Sequence, residues 1–488
     1  MDKAGKKNLI PKSQDLSAWY NRVVLQAELA DYGPVRGTMV YRPYGYAIWE
    51  QIQKHLDEEI KKSGAVNAYF PMFIPESLIK KEKEHIEGFA PELAVVTIGG
   101  GEKLSERLIV RPTSEMVMYQ LYAKWIQSWR DLPLIINQWN NVVRWEKRTY
   151  LFLRTLEFLW QEGHGAHATH KESWERVLWG INTYAKTYQN LLAIPGFIGK
   201  KSESEKFAGG VATLAYESLI PDGKALQGCT SHDLGQNFSK ALNIQFQDKK
   251  GETKYVWQNS WGFTTRSIGA LVLIHGDDDG LILPPKLAPI QIIIIPIENH
   301  PSTQKYLNQL ASQLQQYRIK IDDSDVTPGW KFNQWELKGV PLRLEIGKKE
   351  VKGKSVTIAN RLTRQKQTIS LDQLSAFLNR ELDTFQNELF ARANQFLKSH
   401  TSTAATYAEF KTILKENRGF IWAFWCENPN CEAKIKAETK ATTRLLPLGA
   451  SDAPLDASKE KGSPAESAGK CIYCKKPASH RWLFAQSY

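Results

Sequence analysis

The spacing of apolar residues along the chain predicts several amphipathic helices. Apolar side chains recur every three or four residues, the spacing of one helix face, in three segments. These are Ile48, Ile52, Leu56 and Ile60; Met118, Leu121, Tyr122, Trp125 and Trp129; and Leu374, Phe377, Leu382, Phe385, Leu389 and Phe396. We therefore predict a helix over residues 44–62 that stops at Gly64, a second from Thr113-Ser114 onward, and a long third one.

Other segments have the pattern of strands. From Leu134 to His164 the chain is rich in aromatic and branched residues that alternate with polar ones, as in antiparallel strands. After the break at Pro284-Pro285, the run Ile290 to Pro296 has the character of a buried strand that opens a new α/β domain. The predicted architecture is an α/β multidomain protein with domains over residues 1–285, 286–392 and 393–488. Residues 447–469 have little to bury and predict a flexible loop.

The alternating segment carries charge where a core strand would be apolar. Because strand side chains alternate faces, Arg144 would share a side with Glu146, and Arg154 would share one with Phe158, Trp160 and Glu162. Arginines, aromatic rings and acids on one sheet face indicate the floor of a site. The alternative is an exposed polar sheet face, which leaves the two rings beside charge unexplained.

The net charge of +12 is unevenly distributed over the 488 residues. Lys and Arg exceed Asp and Glu by two in residues 1–285, by five in 286–392 and by five in 393–488. A near-neutral body with basic appendages suits a protein that binds a polyanion, although a solvated basic surface is the alternative. No run approaches the roughly 20 apolar residues of a membrane span. The N-terminus lacks an apolar signal core, so we expect no membrane association and a cytoplasmic location.

Four of the five cysteines lie in the last 63 residues, in two close pairs. They are Cys426, Cys431, Cys471 and Cys474. Two such pairs separated by a long loop provide the thiolates of a tetrahedral zinc site. The alternative is four buried free thiols.

Five segments resemble the motifs of class II aminoacyl-tRNA synthetases in their prolyl form. Residues 144–146 with 152–164 resemble motif 2, residues 261–269 motif 3, and residues 37–46 with the following helix the motif 1 dimer element. Arg111-Pro112-Thr113-Ser114-Glu115 and Gln227-Gly228-Cys229-Thr230-Ser231-His232 resemble the prolyl-specific loops. With the later domains, the resemblance covers the whole chain in the archaeal and eukaryotic architecture. It implies an antiparallel-sheet catalytic core, an α/β anticodon-binding domain, a small α+β zinc-binding domain and a homodimer.

The resemblance implies an ATP-dependent, AMP-forming proline--tRNA ligase whose substrates are ATP, L-proline and proline tRNA. The proline carboxylate attacks the α-phosphate of ATP, so catalysis needs positioning and charge neutralisation, to which Mg²⁺ contributes, and no protein nucleophile. Arg144, Arg154 and Arg266 would be catalytic. The implied ATP-binding residues are Arg144, Glu146, Arg154, Thr155, Phe158, Gln227, Thr230, Thr264 and Arg266. The implied proline-binding residues are Thr113, Glu115, Arg144, Trp160, Glu162 and His232.

Two of these proline-binding assignments have a simpler alternative. Thr113 followed by Glu115 is also the common pattern of a helix N-cap with an acid in the first turn. His232, taken alone, would be an ordinary hydrogen-bonded histidine. The five-motif context favours the site.

The resemblance also assigns roles to the later domains. In the α/β domain, Lys331, Glu336 and Arg343 would contact the anticodon, although an ion-paired surface is the alternative. The zinc would be structural, and the terminal Tyr488 would dock toward the active site. Only 111 residues separate Arg154 from Arg266, which is too few for an additional editing domain.

Two other functions fit parts of this pattern. One is a class II synthetase for another amino acid such as threonine, which the two prolyl-type loops disfavour. The other is a non-catalytic RNA-binding paralogue, which the complete set of three arginines disfavours.

Overall fold

The computed structural model describes residues 9–80, 93–298, 300–448 and 469–488. Its helices, in chain order, are α1 (Leu16–Gln26), α2 (Pro43–Lys62), α3 (Glu76–Ile79), α4 (Glu115–Trp125), α5 (His170–Lys186), α6 (Asn237–Ala241), α7 (Arg266–His275), α8 (Pro301–Gln313), α9 (Pro328–Leu337), α10 (Lys348–Gly353), α11 (Leu374–Ser399), α12 (Tyr407–Glu416) and α13 (Pro429–Thr439). A 3-10 turn covers Trp129–Asp131, and a π-helical turn, Thr187–Leu191, continues α5.

The strands supply three sheets of different size. They are β1 (Ala30–Tyr32), β2 (Met39–Tyr41), β3 (Val66–Asn67), β4 (Phe73–Pro75), β5 (Ala94–Gly99), β6 (Glu102–Val110), β7 (Leu134–Val143), β8 (Glu157–His167), β9 (Phe197–Lys200), β10 (Ala212–Leu219), β11 (Ala225–Gly235), β12 (Gln245–Gln247), β13 (Thr253–Tyr255), β14 (Trp257–Thr264), β15 (Ile292–Pro296), β16 (Ile319–Ile321), β17 (Leu342–Ile346), β18 (Ser355–Asn360), β19 (Lys366–Ser370), β20 (Thr401–Thr403), β21 (Phe420–Trp425), β22 (Ala441–Pro447), β23 (Gly469–Lys470), β24 (Pro477–Ala478) and β25 (His480–Gln486). Two-stranded hairpins β1-β2, β12-β13 and β23-β24 complete the set.

The catalytic domain is built on the antiparallel strands β9-β10-β11-β14-β8-β7, with β3 parallel at the edge. Helices α2 and α5 cover this sheet. Helix α2 does so with the apolar face that the sequence predicted, and Ile48, Ile52, Leu56 and Ile60 are all fully buried. Pro43 opens α2, and Gly64, at φ 86°, stands one residue beyond its end in the left-handed conformation that favours glycine. The predicted helix over 44–62 is confirmed.

The anticodon-binding domain has its own core and its own sheet. Its five strands run in the order β16-β15-β17-β18-β19, and the first three are parallel. The predicted run of isoleucines is β15, buried on both faces because α8 and α11 cover one side and α9 the other.

The C-terminal domain extends the catalytic sheet. Strand β22 pairs with β9, so β20-β21-β25-β22 and the catalytic strands form one eleven-stranded sheet. Arg444 on β22 donates two hydrogen bonds to Glu217 on β10, and Lys201 donates a third. All three side chains are buried. Removing one partner from such a cluster costs about 3–5 kcal/mol, because it leaves an unpaired charge in the interior.

Three predictions of local structure need correction or fall outside the structure. Arg144, Glu146 and Arg154 do not lie on strands, because β7 ends at Val143 and β8 begins at Glu157; they lie on the connecting loop. Trp129 lies beyond α4, in the 3-10 turn. Of the loop predicted at 447–469, residues 449–468 lie outside the described residues, whereas Pro447 ends β22 and Gly469 begins β23.

Residues 154–266 are all described and form β8 to β14, helices α5 and α6 and the connections between them. Every long element of this segment belongs to the catalytic sheet or packs on it. Within residues 9–80, 93–298, 300–448 and 469–488, no helix has both the length and the apolar character needed to cross a bilayer.

Candidate active site

A cavity of about 230 Å³ opens on one face of the catalytic sheet. Its floor comes from β8, β11 and β14, and its rim from the loop between β7 and β8. Every residue that the sequence assigned to ATP or proline lines this one cavity: Thr113, Glu115, Arg144, Glu146, Arg154, Thr155, Phe158, Trp160, Glu162, Gln227, Thr230, His232, Thr264 and Arg266. The cavity therefore joins residues that are up to 153 positions apart in the chain.

The register of the sheet explains the polar floor. Across the strands, His164 of β8 lies opposite Ser260 of β14, Ser260 opposite His232 of β11, and His232 opposite Thr213 of β10. Residues directly opposite one another in a sheet point to the same face. A row of four polar side chains thus crosses the sheet beneath the cavity, and all four line it.

Thr113 and Glu115 lie at the buried end of the cavity. The Thr113 hydroxyl donates to Glu115 Oε2 at 2.5 Å, and both residues are almost fully buried. The N-cap position of α4 is occupied by Ser114, whose hydroxyl donates to Glu162 and does not accept a hydrogen bond from the N–H groups of the helix. Thr113 is thus not the side-chain cap that the alternative required, and Glu115 faces the cavity.

Glu162 is the centre of a buried polar network below this end. Its carboxylate accepts hydrogen bonds from Ser114 (2.5 Å), Gln138 (3.0 Å), Asn140 (2.7 Å) and the Nε2 of His164 (3.0 Å). Burial acts to raise the pKa of Glu162, but the hydrogen bond and charge of His164 outweigh it, and the pKa is lowered. Burial likewise opposes protonation of His164, yet Glu162 and Glu115 hold its pKa above the usual value. Each group therefore favours the charged form of the other.

His232 has the opposite electrostatic character. Its Nδ1 is hydrogen-bonded to the Thr213 hydroxyl and its Nε2 to the Thr230 hydroxyl, each at 2.9 Å. Burial lowers the pKa of His232 to about 3, with His164 and Arg144 adding to the effect. A neutral imidazole has one donor and one acceptor nitrogen, and hydroxyl groups can satisfy both. The ring of Phe207 packs against this imidazole at 4.6 Å between centroids.

The structure adds residues that the sequence analysis missed. His164, Ser114, Gln138 and Asn140 surround Glu162, and Ser260 presents a buried hydroxyl that has no hydrogen-bond partner in the described part of the chain. His164 could have been found, because it follows Glu162 by two positions and so shares its face of β8. Ser114 lies between Thr113 and Glu115, and Ser260 directly precedes motif 3, so both adjoin segments that the sequence analysis quoted. Gln138 and Asn140 come from β7, and no local pattern marks them.

The other end of the cavity is arginine-rich and more open. Arg144 donates to the Pro112 carbonyl at 3.1 Å and lies over the rings of Phe158 and Trp160, 5.5 and 5.6 Å from their centroids. The Arg154 side chain is 49% exposed and lies 3.5 Å from a Glu146 carboxylate oxygen. Positive charge at the mouth of a cavity attracts an anionic ligand such as a nucleotide.

Arg266 occupies the first position of α7, on the inner side of this end. Its Nε donates to the Leu153 carbonyl at 3.1 Å, and its backbone N–H is bonded to the Thr264 hydroxyl. A helix N-terminus favours a nearby anion through its free N–H groups and its dipole. The guanidinium donates to the Leu153 carbonyl and, at 3.4 Å, to the Gln227 carbonyl, so groups from two other segments hold its orientation.

The last residue of the chain, Tyr488, lies near the arginine-rich end of the cavity. The Tyr488 backbone N–H donates to the Ala225 carbonyl, two residues before Gln227 of the cavity wall. The ring packs against the core of the catalytic domain, and its hydroxyl is buried. Burial raises the pKa of Tyr488, while Arg266 and Arg154 act to lower it, because both arginines lie nearby.

A second cavity, of about 100 Å³, lies in the anticodon-binding domain between α9, β17 and the turn after β18. Glu336, Arg343, Arg364 and Lys366 line it together with Trp335. Arg343 lies over the ring of Phe332 at 4.0 Å and is bonded to Glu345. Lys331 does not line this cavity: it is buried, and its ammonium donates to the Asp322 carbonyl at 3.0 Å. The predicted base contact of Lys331 therefore has no support in its surroundings.

The four C-terminal cysteines converge at one point. Their sulfur atoms all lie within 4.8 Å of one another, with 3.7 Å between Cys426 and Cys431 and 3.6 Å between Cys426 and Cys474. Zinc–sulfur bonds of about 2.3 Å in a tetrahedron place sulfur atoms about 3.8 Å apart. The donor set and its spacing fit a tetrahedral metal ion.

Comparison with family models defines the class of this protein. Residues 98–275 match the model described as "tRNA synthetase class II core domain (G, H, P, S and T)", and residues 291–381 match "Anticodon binding domain". Together with the antiparallel sheet and the arginine-lined cavity, these matches identify a class II aminoacyl-tRNA synthetase. The predicted fold class is confirmed.

The C-terminal domain and the full-length relatives define the family. Residues 407–488 match the model "Prolyl-tRNA synthetase, C-terminal". The chain is 49% identical over 473 residues to Proline--tRNA ligase of Natranaerobius thermophilus, covering 96% of this chain and 95% of the relative. It is 50% identical over 488 residues to Proline--tRNA ligase of Chlorobium phaeobacteroides, covering 99% of this chain and all of the relative. The chain therefore belongs to the prolyl-tRNA synthetase family, whose members activate proline with ATP and join it to tRNA.

Solved structures are similar over nearly the whole chain. The prolyl-tRNA synthetase of Cryptosporidium parvum in complex with halofuginone and AMPPNP is 41% identical, with a TM-score of 0.90 and coverage of 98% of this chain and 96% of that one. The same enzyme in complex with L-proline and AMP is 40% identical, with a TM-score of 0.89 and the same coverage.

Proposed function

We propose that the cavity on the catalytic sheet performs both steps of proline--tRNA ligation, with proline at its buried end and ATP at its arginine-rich end. The observation that carries this proposal is the division of the one cavity. A carboxylate–histidine network lies at one end, and three arginines lie at the other.

In the first step, a carboxylate oxygen of proline attacks the α-phosphorus of ATP, and pyrophosphate leaves. Arg144, at the arginine-rich end and over the rings of Phe158 and Trp160, neutralises the charge that builds on the α-phosphate. Arg266 and Phe158 hold the adenine between a guanidinium and a ring, and Arg154 contacts the γ-phosphate. Fixed positive groups that meet the developing charge are expected to supply most of the rate enhancement.

In the second step, a hydroxyl of the terminal tRNA ribose attacks the carbonyl carbon of prolyl-adenylate. The carbon–oxygen bond to AMP breaks, and AMP leaves as its phosphate anion while the hydroxyl loses its proton. The positive charge of Arg144 stabilises the departing phosphate. Thr155, Gln227, Thr230 and Thr264 supply the polar groups that surround the nucleotide.

Mg²⁺ is expected to enter with ATP and to neutralise phosphate charge. Glu146 is the carboxylate beside Arg154 at the ATP end, and carboxylate oxygen is a ligand that Mg²⁺ prefers. The chain's own contribution is to hold this carboxylate at the cavity wall.

The buried end suits the secondary ammonium of proline. Thr113 and Glu115 supply a hydroxyl and a carboxylate as acceptors, and Trp160 and His232 enclose the ring. Alanine and cysteine are smaller or of similar size, and a missing methylene is worth only about 1–3 kcal/mol of discrimination. Since residues 154–266 are all used by the catalytic domain, correction of alanyl-tRNA would need a separate protein. Alanyl-tRNA with a proline anticodon should lose alanine at the spontaneous rate when the purified enzyme is added.

The test of the proposed activity is proline-dependent exchange between pyrophosphate and ATP. Exchange should require proline, and threonine should support none. A synthetase for another amino acid would exchange with that amino acid instead, and a non-catalytic paralogue would show no exchange.

The anticodon is proposed to bind at the second cavity. Glu336 can accept from a base edge and Arg343 can donate to one, beside the aromatic side chain of Trp335. Arg343→Glu should weaken tRNA aminoacylation strongly and leave tRNA-independent pyrophosphate exchange unchanged. An equal loss of both activities would contradict the separation of the two sites.

The cysteine cluster is proposed to hold one structural Zn²⁺ through Cys426, Cys431, Cys471 and Cys474. The sulfur–sulfur distances support this assignment. Elemental analysis of the protein purified under reducing conditions should find one zinc per chain. The Cys471→Ser/Cys474→Ser variant should contain none and should lose protection from proteolysis in residues 400–488. Absence of metal from the unsubstituted protein would refute the proposal.

We further propose a homodimer that forms around the first strands and α2. Seven large apolar side chains in this region are exposed: Tyr32, Val35, Val40, Tyr46, Val66, Tyr69 and Phe73. A second copy of the chain is the occupant that the motif 1 resemblance implies. Light scattering after size exclusion should give twice the mass of 55.6 kDa, and Tyr46→Glu should shift it toward the monomer. The cytoplasmic location remains a prediction.

A further inference from the structure

Two helices with different tasks meet at one junction. Helix α7 begins with Arg266 of the ATP end, and helix α9 carries Glu336 of the proposed anticodon cavity. At 1.5 Å per residue, the ten residues of α7 span about 15 Å from Arg266 to its last turn. The segment that leaves α7 lies directly against the segment that leaves α9.

Backbone hydrogen bonds close this junction on one side. The Leu281 N–H donates to the Leu337 carbonyl at 2.9 Å, and the Leu283 N–H donates to the Gly339 carbonyl at 3.1 Å. Gly339 has φ 70°, and a Cβ at this residue would lie 2.6 Å from Leu281. The two segments therefore approach as closely as backbone allows, which requires glycine here.

Arg361 closes the other side. Its Nη1 and Nη2 donate to the two carboxylate oxygens of Asp277 at 2.9 and 2.5 Å, and its Nε donates to the Glu336 carbonyl at 3.0 Å. The Arg361 side chain is 3% exposed. One guanidinium thus holds the backbone of the anticodon residue Glu336 and the residue that follows α7 by two positions. Bidentate pairs of this kind fix orientation as well as distance.

The position of Asp277 is unfavourable for the isolated helix. A carboxylate near a helix C-terminus opposes the dipole by about 0.3–1 kcal/mol. The Asp277 carbonyl accepts from Trp19 Nε1 at 2.9 Å, and the Lys12 ammonium donates to the Leu273 and Gly276 carbonyls, each at 2.6 Å. The helix end is therefore already held within the catalytic domain by Lys12 and Trp19. The Asp277 carboxylate accepts the Asp279 N–H at 3.0 Å within its own turn, and its contacts with Arg361 and with Arg364 Nη2 at 3.2 Å connect it to the anticodon-binding domain.

We propose that Arg361 and Asp277 are positioning residues that couple anticodon binding to the orientation of Arg266. A base in the second cavity fixes α9 at Glu336, Arg361 transfers this constraint to Asp277, and α7 transfers it to its first residue. The inference rests on the proposed anticodon site. It goes beyond that site by assigning the route through which correct tRNA raises the rate of the catalytic step.

The test compares kcat and tRNA affinity in separate measurements. Wild type, Asp277→Asn, Arg361→Gln and the double variant are assayed with proline tRNA and with the same tRNA carrying one substituted anticodon base. The control is Lys338→Gln, which removes another ion pair between the same two domains. Lys338 binds Glu28, which lies after α1 and outside the segment that follows α7. Pyrophosphate exchange without tRNA and the thermal unfolding midpoint are measured for every variant.

In the wild type and in Lys338→Gln, the base substitution should lower kcat as well as affinity. In Asp277→Asn, the ratio of kcat with proline tRNA to kcat with the substituted tRNA should fall by about fivefold or more. The ratio of the two dissociation constants and the exchange rate should stay unchanged. Arg361→Gln should change the ratio in the same direction but less, because Arg364 still pairs with Asp277, and the double variant should match Asp277→Asn.

Two outcomes overturn the proposal. The first is a kcat ratio that is unchanged in both single variants. The second is a wild-type kcat that does not depend on the anticodon. Failure of the proposed anticodon site is a different result, because the wild-type dissociation constant would then be insensitive to the base substitution. Asp277→Asn conserves the shape of the side chain, so the test stands even if Arg361→Gln unfolds.

Discussion

The two ends of the active-site cavity differ in how their polar groups are satisfied. At the proline end, Glu162 has four hydrogen-bond donors from the chain itself, and His232 has a partner for each ring nitrogen. At the ATP end, Arg154 is half exposed, and a carboxylate oxygen of Glu146 lies 3.5 Å away. The proline end is therefore preformed and buried and suits a small ligand. The ATP end is open, and a large anionic ligand can neutralise its positive charges.

This difference follows from what each end must recognise. Proline offers one ammonium, one carboxylate and a small ring, so selectivity requires a rigid boundary with few adjustable groups. ATP carries several negative charges, which arginines on a solvent-accessible loop can approach with less desolvation. The two ends should therefore respond differently to substitution.

The largest effect is expected at the ATP end. Arg266→Ala should lower kcat/KM for pyrophosphate exchange by more than about 100-fold, because a lost contact to the reacting nucleotide costs about 3 kcal/mol. The thermal unfolding midpoint should change little, since the guanidinium makes hydrogen bonds only to backbone carbonyls. Arg266→Lys is the matched control for charge. Exchange close to wild type in Arg266→Ala would remove this residue from the catalytic set.

At the proline end, Glu162→Gln should raise KM for proline by roughly tenfold or more. The change places an amide donor among four donors and removes the carboxylate that raises the pKa of His164, at a cost of about 2 kcal/mol. KM for ATP should stay within about twofold, since the carboxylate is remote from the nucleotide. Adding His164→Gln should recover part of the loss. An equal rise of both KM values would show that the two ends are not independent.

The pH dependence of stability tests the neutral state of His232. Its folded pKa of about 3 lies below the unfolded value, so the unfolded chain binds more protons between pH 3 and 6.5. Stability should therefore be complete above pH 6.5 and should fall as the pH falls below it. At pH 5.5 this group accounts for about 1 kcal/mol. Urea unfolding of the wild type and His232→Gln at pH 7.5 and 5.5 should give a smaller pH effect in the variant. Equal pH effects would refute the assignment.

The smallest effect is expected from the chain terminus. Deletion of Tyr488 removes a ring that packs on the core of the catalytic domain near Arg154 and Arg266, and it leaves both arginines in place. KM for ATP should rise roughly threefold, with KM for proline unchanged. Tyr488→Phe, which keeps the ring and loses only a hydroxyl without a partner, should behave as wild type. A larger effect on proline than on ATP would reverse the assignment of the two ends.

The sequence alone was sufficient for features that depend on local pattern. Helical spacing defined α2 and α11, and the apolar run after Pro284-Pro285 defined β15. The motifs identified the ATP-binding and proline-binding residues, and the structure places all of them around one cavity. These predictions succeed because a motif preserves residue types at fixed spacing, and spacing on one element determines which side chains share a face.

Tertiary structure decided which distant groups complete the site and how the domains connect. The loop position of Arg144 and Arg154 depends on where β7 and β8 stop pairing, which an alternating pattern does not reveal. Lys331 had the charge of an anticodon ligand, but packing directed its ammonium to the Asp322 carbonyl. The hydrogen bonds of Ser114, Gln138 and Asn140 to Glu162, and of Arg361 to Asp277, join residues 22 to 84 positions apart. Such contacts are set by sheet register and domain docking, because burial requires each charge to find a partner wherever the chain supplies one.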